Sequence, residues 1–147
     1  HLPKLEQRET LQRLAFYIGV QHYNNANYSN ALTKFEYSKK YPENKEIEAM
    51  CTYWLADCYY HLKDYDKSIT YYKEYLETSS KSLVEKIGIA KYNLAYSYFQ
   101  KKQYNKSIDF FRKSINSNLD EDRALDAKIR LADSYFMISN FNNIKEN

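Results

Sequence analysis

Small and apolar residues return along this chain in one phased pattern, repeated four times. The copies begin at Ile18-Gly19, Leu55-Ala56, Leu94-Ala95 and Leu131-Ala132, and the small residues 19, 56, 95 and 132 are separated by 37, 39 and 37 positions. Nine residues after each small residue stands an aromatic: Tyr28, Tyr65, Tyr104 and Phe141. Three further on come Ala31, Ser68 and Ser107, with Ile144 in the fourth copy. Leu32, Ile69 and Ile108 follow directly, and then Phe35, Tyr72 and Phe111. A period of this length belongs to stacked helical hairpins rather than to strands.

Each position in the pattern has a physical reason. Two antiparallel helices approach closely only where one presents a small side chain, so Gly19 is expected against the Ala31 turn and Ala56 against Ser68. The large aromatics fill the gaps on either side, as ridge-into-groove packing requires. Asn27, Asp64, Gln103 and Asn140 directly precede the repeated aromatic. Asn and Asp there suit the N-cap of the second helix, whereas Gln103 is a poorer cap and predicts a looser turn. The pattern predicts seven helices and a stub, at roughly 4–24, 28–40, 45–62, 66–79, 82–101, 104–116 and 121–139. Tyr41-Pro42 closes the second, because a residue before Pro resists helical dihedrals. Ser82 and Asp120 are expected to cap later helices.

The runs Leu55-Ala56-Asp57-Cys58-Tyr59-Tyr60 with Asp64-Tyr65-Asp66-Lys67-Ser68-Ile69, and Leu94-Ala95-Tyr96-Ser97-Tyr98 with Tyr104-Asn105-Lys106-Ser107-Ile108, resemble tetratricopeptide (TPR) repeats. The resemblance covers nearly the whole chain. It departs from the family pattern in three places. Ala26, Lys63, Lys102 and Ser139 replace the glycine before the inter-helix cap. Ala15, Thr52, Lys91 and Lys128 stand where a bulky aromatic is usual, and the inter-repeat proline survives only near Pro42. The longer period and the tyrosine content are similar to the repeats of bacterial envelope proteins, such as outer-membrane assembly lipoproteins and Tol-Pal coordinators. The resemblance implies an all-α, right-handed superhelical solenoid of stacked antiparallel helix pairs. Residues 1–147 are expected to form a single solenoid domain, with repeats at 4–44, 45–81, 82–119 and an incomplete 120–147. The fourth copy carries no polar cap of the kind a solenoid end needs. Its apolar face is therefore expected either to be covered by further chain, the sequence being a fragment of a longer array, or to self-associate with another copy.

Composition narrows the classes. With two Gly and two Pro in 147 residues, the turn-rich sandwiches and barrels and the glycine-dependent doubly wound folds are excluded. Seventeen Tyr and a charged fraction of 28% argue against disorder. Net charge is +3, and the two halves are balanced: 10 Lys and Arg against 9 Asp and Glu in residues 1–73, and 12 against 10 in residues 74–147. That distribution gives little electrostatic reason for nucleic acid or an anionic membrane. No apolar run approaches the ~18 residues of a membrane span. The chain opens at His1 rather than Met, which reads as an upstream segment removed or a tag residue left behind. Cys51 and Cys58, two helical turns apart at about 10.5 Å along the axis, are too distant to bridge and are expected to be buried apolar residues.

No phosphate loop, nucleophile elbow or His-Glu-x-x-His occurs, so the chain is expected not to be an enzyme and to need no cofactor or metal. His22 stands where other copies have Tyr59, Tyr98 and Tyr135 and is read as a packing substitution. His61 and Asp57 at i, i+4 suggest a surface contact, and Asp57 and Asp133 share a slot read as a solvated face. In the tetratricopeptide family the first helices of the repeats line a concave groove. The resemblance implies that the partner-binding groove here holds Phe16, Tyr17, Tyr23, Tyr53, Trp54, Asp57, Tyr60, Tyr92, Asn93, Tyr96 and Arg130. Of these, Tyr53, Trp54, Tyr92 and Tyr96 are expected to supply exposed aromatic surface of the kind enriched at hot spots. Family members that clamp a chaperone's C-terminal carboxylate use groove cations and an Asn. The matching slots hold Phe16, Val20, Trp54, Ile89 and Asn93, so only the Asn is kept and that activity is not expected. The leading expectation is a non-catalytic scaffold for a protein or peptide partner. The alternative is a glycan-binding module of a bacterial envelope, periplasmic in setting. Single-stranded nucleic acid would need a cationic track that the balanced charges do not supply.

Overall fold

The computed structural model describes residues 4–78 and 84–146. Among them are seven helices and no strand: α1 (Leu5–Asn24), α2 (Tyr28–Lys39), α3 (Lys45–His61), α4 (Tyr65–Thr78), α5 (Val84–Gln100), α6 (Tyr104–Ile115) and α7 (Glu121–Glu146). The all-α helical-repeat class expected from the period is what is found. The chain divides into two compact units, His1–Thr78 and Ser79–Asn147. In the first, α1 pairs with α2 and α3 with α4, while α2 and α1 both touch α3; in the second, α6 packs between α5 and α7.

All three hairpins turn in the same way. Each first helix ends with a residue in the left-handed region, Ala26 (φ 57°), Lys63 (φ 62°) and Lys102 (φ 60°). The amides of these residues bond back to Tyr23, Tyr60 and Phe99, and the next amides bond to His22, Tyr59 and Tyr98, at 2.8–3.0 Å. This is the two-bond helix terminator that normally takes Gly. The turn before Gln103 is no looser than the others, with both of its bonds at 2.9 Å, so backbone bonding rather than the cap residue sets its tightness. The caps themselves are mixed. Asp64 Oδ1 accepts from the Lys67 amide at 3.2 Å and Asp120 Oδ1 from the Arg123 amide at 2.9 Å. The Asn27 side chain makes no cap bond, contrary to expectation, nor does Gln103. Asn44 caps α3 through the Ile47 amide at 3.0 Å. Ser82 lies outside the described residues.

Left-handed backbone costs a residue with a Cβ about 1–2 kcal/mol, partly offset by the larger chain entropy that Gly loses on folding. Lys63→Gly and Lys102→Gly are each expected to stabilise by about 0.5–1 kcal/mol. The shift in urea midpoint at unchanged slope measures it.

The fourth copy departs from its expected form. Ser139 and Asn140 do not turn, and α7 continues unbroken through both, so the expected stub is the last stretch of one 26-residue helix. A turn there would break helical hydrogen bonds and hold Ser139 in a strained conformation.

The small-residue positions behave as packing demands in the three complete hairpins. Gly19 is buried, and Ala56 and Ala95 are fully so. At Gly19 an added Cβ would lie 2.6 Å from Cε1 of Phe35, so the residue makes room for that ring rather than for the Ala31 turn. Ala132, the fourth of the set, is exposed. A second close approach was not anticipated: a Cβ on Gly88 would sit 2.0 Å from the Ser117 carbonyl oxygen in the loop after α6. At the corresponding slot of α1, the buried Gln12 side chain grips the loop after α2. Its Nε2 donates to the Asn44 carbonyl at 2.9 Å and its Oε1 accepts from the Asn44 amide at 2.8 Å. The core of the first unit gathers Ala31, Phe35, Cys51, Leu55, Cys58 and Tyr59; that of the second is built on Ala95, Phe111 and Ala127. Both cysteines are free and buried, as their spacing predicted.

Candidate functional site

The expected groove residues fall into two clusters, one in each unit. In the first, α1 supplies Phe16, Tyr17 and Tyr23, and α3 supplies Tyr53, Trp54, Asp57 and Tyr60. Phe16 is half-buried against Phe35, at 6.2 Å between ring centroids, and beside it Tyr17 stands 56% exposed. Tyr23 lies between Tyr28 (5.4 Å) and Trp54 (4.6 Å). Trp54 and Tyr60 are half-buried, the latter edge-on to Tyr65 at 5.6 Å. Tyr53 is only 4% exposed, enclosed by Trp54, Tyr72 and Tyr75. That overturns the expectation that it offers open surface, because the second helix of its own hairpin covers the ring.

Asp57 is buried, not part of a solvated face. It accepts hydrogen bonds from the hydroxyls of Tyr23 and of Tyr72, the latter at 2.8 Å, and lies 3.5 Å from His61 Nε2. The expected Asp57–His61 contact is therefore present, with the imidazole also 3.3 Å from the Tyr23 hydroxyl and stacked on Tyr28 at 4.3 Å. Tyr72, from α4, was not among the expected site residues. A signal for it existed: Phe35, Tyr72 and Phe111 share one slot, only Tyr72 carries a hydroxyl, and its hairpin is the one with a carboxylate directly after the small residue.

In the second unit Asp126 plays the same part. Tyr92 donates to its Oδ2 at 2.6 Å and Tyr96 donates to the same atom. Arg130 donates from Nε to the Tyr96 hydroxyl oxygen at 3.1 Å and from Nη1 to Asp133 Oδ2 at 2.7 Å. The rings of Tyr92 and Tyr96 pack edge-on against Phe111, and Tyr92, Asn93, Tyr96 and Arg130 are all half-buried. Tyr23→Asp57 and Tyr92→Asp126 each span 34 residues, joining the first helix of one repeat to the first helix of the next. Compared through the small residues 19, 56, 95 and 132, the second contact lies two helical turns earlier than the first.

These environments hold the phenols neutral. Burial, then the Asp57 carboxylate, pushes Tyr23 far above its ordinary value, and burial, then Asp126, does the same to Tyr92. Burial alone carries Tyr75 to about 12, and burial followed by Glu36 carries Tyr59 to about 12. Burial likewise raises the thiols from 9.0, Cys51 to about 11 and Cys58 to about 12, which removes thiolate character rather than creating it. Every one of these groups ionises more readily in the unfolded chain. Above pH 9.0 the unfolded state therefore holds fewer protons than the folded one, and stability falls with rising pH. Full stability is expected below about pH 9, with progressive loss towards about pH 12. Urea midpoints across that range at constant ionic strength measure it.

Among the described residues no group of three or more His, Cys, Asp and Glu could hold a metal ion, and no helix is long and apolar enough to cross a membrane. Residues 48–119, from α3 to just beyond α6, match a family model described as tetratricopeptide repeat. This match supports a tetratricopeptide repeat family. No match is found among curated proteins. Tetratricopeptide repeats are in general protein–protein interaction modules and non-catalytic, and the antiparallel helix pairs described above agree with that fold class.

Proposed function

We propose that this chain is a non-catalytic scaffold that holds a peptide or protein partner against the aromatic faces of its first helices. In the first unit the gripping surface is the ledge formed by Tyr17, Phe16, Tyr23, Trp54 and Tyr60. In the second it is Tyr92, Tyr96, Asn93 and Arg130. The observation that carries the reading is the pinning of partly exposed rings by a carboxylate beneath them. Tyr23 is tied to Asp57, and Tyr92 and Tyr96 to Asp126. Rings held in place before a partner arrives lose little side-chain entropy on binding, which is how rigid aromatic anchors gain affinity. The tilted packing of Trp54 against Tyr23 and Tyr53 gives the glycan alternative no support of its own. A bacterial envelope setting rests on the sequence resemblance.

Selection from a random peptide library displayed on phage, with the intact chain immobilised, tests the proposal. Selected peptides are expected to shift the fluorescence of Trp54, the sole tryptophan. Trp54→Ala or Tyr17→Ala should weaken them by about tenfold or more, the scale of a hot-spot residue. Peptides whose affinity ignores both substitutions would move the site to another face.

A further inference from the structure

Trp54 is the sole tryptophan of the chain, and indole and phenol are the side chains that give up a single electron most readily once thiols are set aside. Thiols are set aside here, because Cys51 and Cys58 are fully buried and burial keeps both protonated. Trp54 is half-buried, so a small oxidant meets its ring from solvent. Two phenols touch that ring. The Tyr23 centroid lies 4.6 Å from it and the Tyr53 centroid 5.2 Å, both in the range of aromatic contact. Tyr23 has a further property, which is the destination of its proton. A phenol that loses an electron becomes strongly acidic, so the loss is favoured where a base already accepts the hydroxyl hydrogen. Tyr23 donates to the Asp57 carboxylate, an acceptor without a proton of its own. Tyr72, fully buried, donates to the other carboxylate oxygen at 2.8 Å and fixes the group beneath the phenol. The Asp57 side chain is 12% exposed, so its charge is weakly screened and favours positive charge on the rings beside it. Burial and this carboxylate hold the Tyr23 phenol neutral far above its ordinary range, and its electron therefore leaves together with the proton.

We infer that Tyr23 and Asp57 form an oxidation sink for Trp54, in which an electron taken from the indole by a diffusing one-electron oxidant, such as an oxygen-derived radical, is replaced from Tyr23. The oxidant gains the electron and leaves as its anion, and Trp54 becomes a radical cation. Tyr23 then gives one electron to the indole and its hydroxyl proton to the Asp57 carboxylate. The O–H bond of Tyr23 breaks and an O–H bond on Asp57 forms. Charge balances: a radical cation and a carboxylate become a neutral indole, a neutral phenoxyl radical and a carboxylic acid. A small-molecule reductant such as ascorbate closes the cycle by returning one electron to Tyr23, and the proton goes back from Asp57. The consequence is that oxidative damage is moved off Trp54, the anchor of the proposed binding ledge. Only that consequence rests on the ledge reading. The transfer itself needs no partner.

Pulse radiolysis of the intact chain tests this, with azide radical as the oxidant because it attacks indole in preference to phenol at neutral pH. The indolyl absorption is expected to decay as the phenoxyl absorption rises. The two should share one rate that is independent of protein concentration and slower in heavy water. Tyr23→Phe should prolong the indolyl radical about tenfold or more. Asp57→Asn keeps an acceptor oxygen but removes the base, and should slow the transfer by about the same factor at unchanged helicity. Tyr53→Phe should leave the rate as it is. An indolyl lifetime that ignores Tyr23→Phe, or one that responds to Tyr53→Phe instead, overturns the inference. So does transfer at wild-type speed in Asp57→Asn, which would assign the proton to another base such as His61, whose Nε2 lies 3.3 Å from the same hydroxyl. Should Asp57→Asn fail to fold, His61→Gln and the solvent comparison decide. Transfer slowed by His61→Gln, or equally fast in light and heavy water, overturns it. No peptide is present in these measurements, so their failure is separate from failure of the ledge reading.

Discussion

Replacing Gly88 by Ala is expected to lower the stability of the second unit by about 2–4 kcal/mol. The helix itself would gain, since Ala is favoured over Gly by about 1 kcal/mol in a helix interior. The clash outweighs that gain. The new methyl would stand 2.0 Å from the Ser117 carbonyl oxygen, a backbone atom in a loop already constrained by the left-handed Asn118 (φ 37°). No rotamer change relieves it, so α5 or the loop has to move by more than an ångström. Gly19→Ala makes a useful comparison, because there the obstacle is the Phe35 side chain rather than backbone, and the loss should be smaller. Amide hydrogen exchange resolved by helix measures both. A Gly88→Ala chain whose α5–α7 amides exchange as slowly as wild type would show that the approach is not a constraint.

The second large effect is expected at Asp57. Asp57→Ala removes the acceptor of two tyrosine hydroxyls, one of them on the fully buried Tyr72, and the charge beside His61. Hydrogen bonds to a charged group contribute about 1.5–3 kcal/mol each, and relief from burying the carboxylate offsets part of the sum. A net loss of about 2–4 kcal/mol is expected. Asp126→Ala should cost less, since Asp126 is half-exposed and water replaces it as a partner for Tyr92 and Tyr96. Urea titrations of the two variants, followed by Trp54 emission for the first and by circular dichroism for both, test the ordering. Equal losses would mean that burial of the carboxylate is not what gives Asp57 its weight.

Hairpin geometry was readable because it depends on residues that each hold one slot. Gly19, Ala56 and Ala95 mark three crossings, and Tyr28, Tyr65 and Tyr104 mark the first residue of each second helix. Ser139 misled for a local reason. Sequence matching at the turn weighs the cap position and the repeated aromatic, whereas continuing the helix through Ser139 keeps its backbone hydrogen bonds and avoids the left-handed residue that the other three turns carry. Gly88 escaped notice because its slot reads Gln12, Ala49, Gly88 and Leu125, with no shared residue type. Two of those positions are alike only in what they meet, since Gln12 bonds to the loop after its hairpin and Gly88 touches the loop after its own. Tyr53 is the clearest site lesson. A ring one turn before the repeated small residue looks exposed in a helical projection, yet it is covered as soon as the second helix carries Tyr72 and Tyr75. The Tyr23–Asp57 and Tyr92–Asp126 pairs were hidden by the two-turn offset between them, since comparing copies slot by slot aligns neither.

The two thiols give the molecule its own stopwatch. Cys51 and Cys58 are its complete set of cysteines, both lie within α3 with no exposed surface, and burial holds each far from its reactive thiolate form. An alkylating reagent such as iodoacetamide can mark them only while the His1–Thr78 unit is open. Mass gained against time, on unaltered sequence and near neutral pH, would then count the excursions of that unit while leaving the other silent.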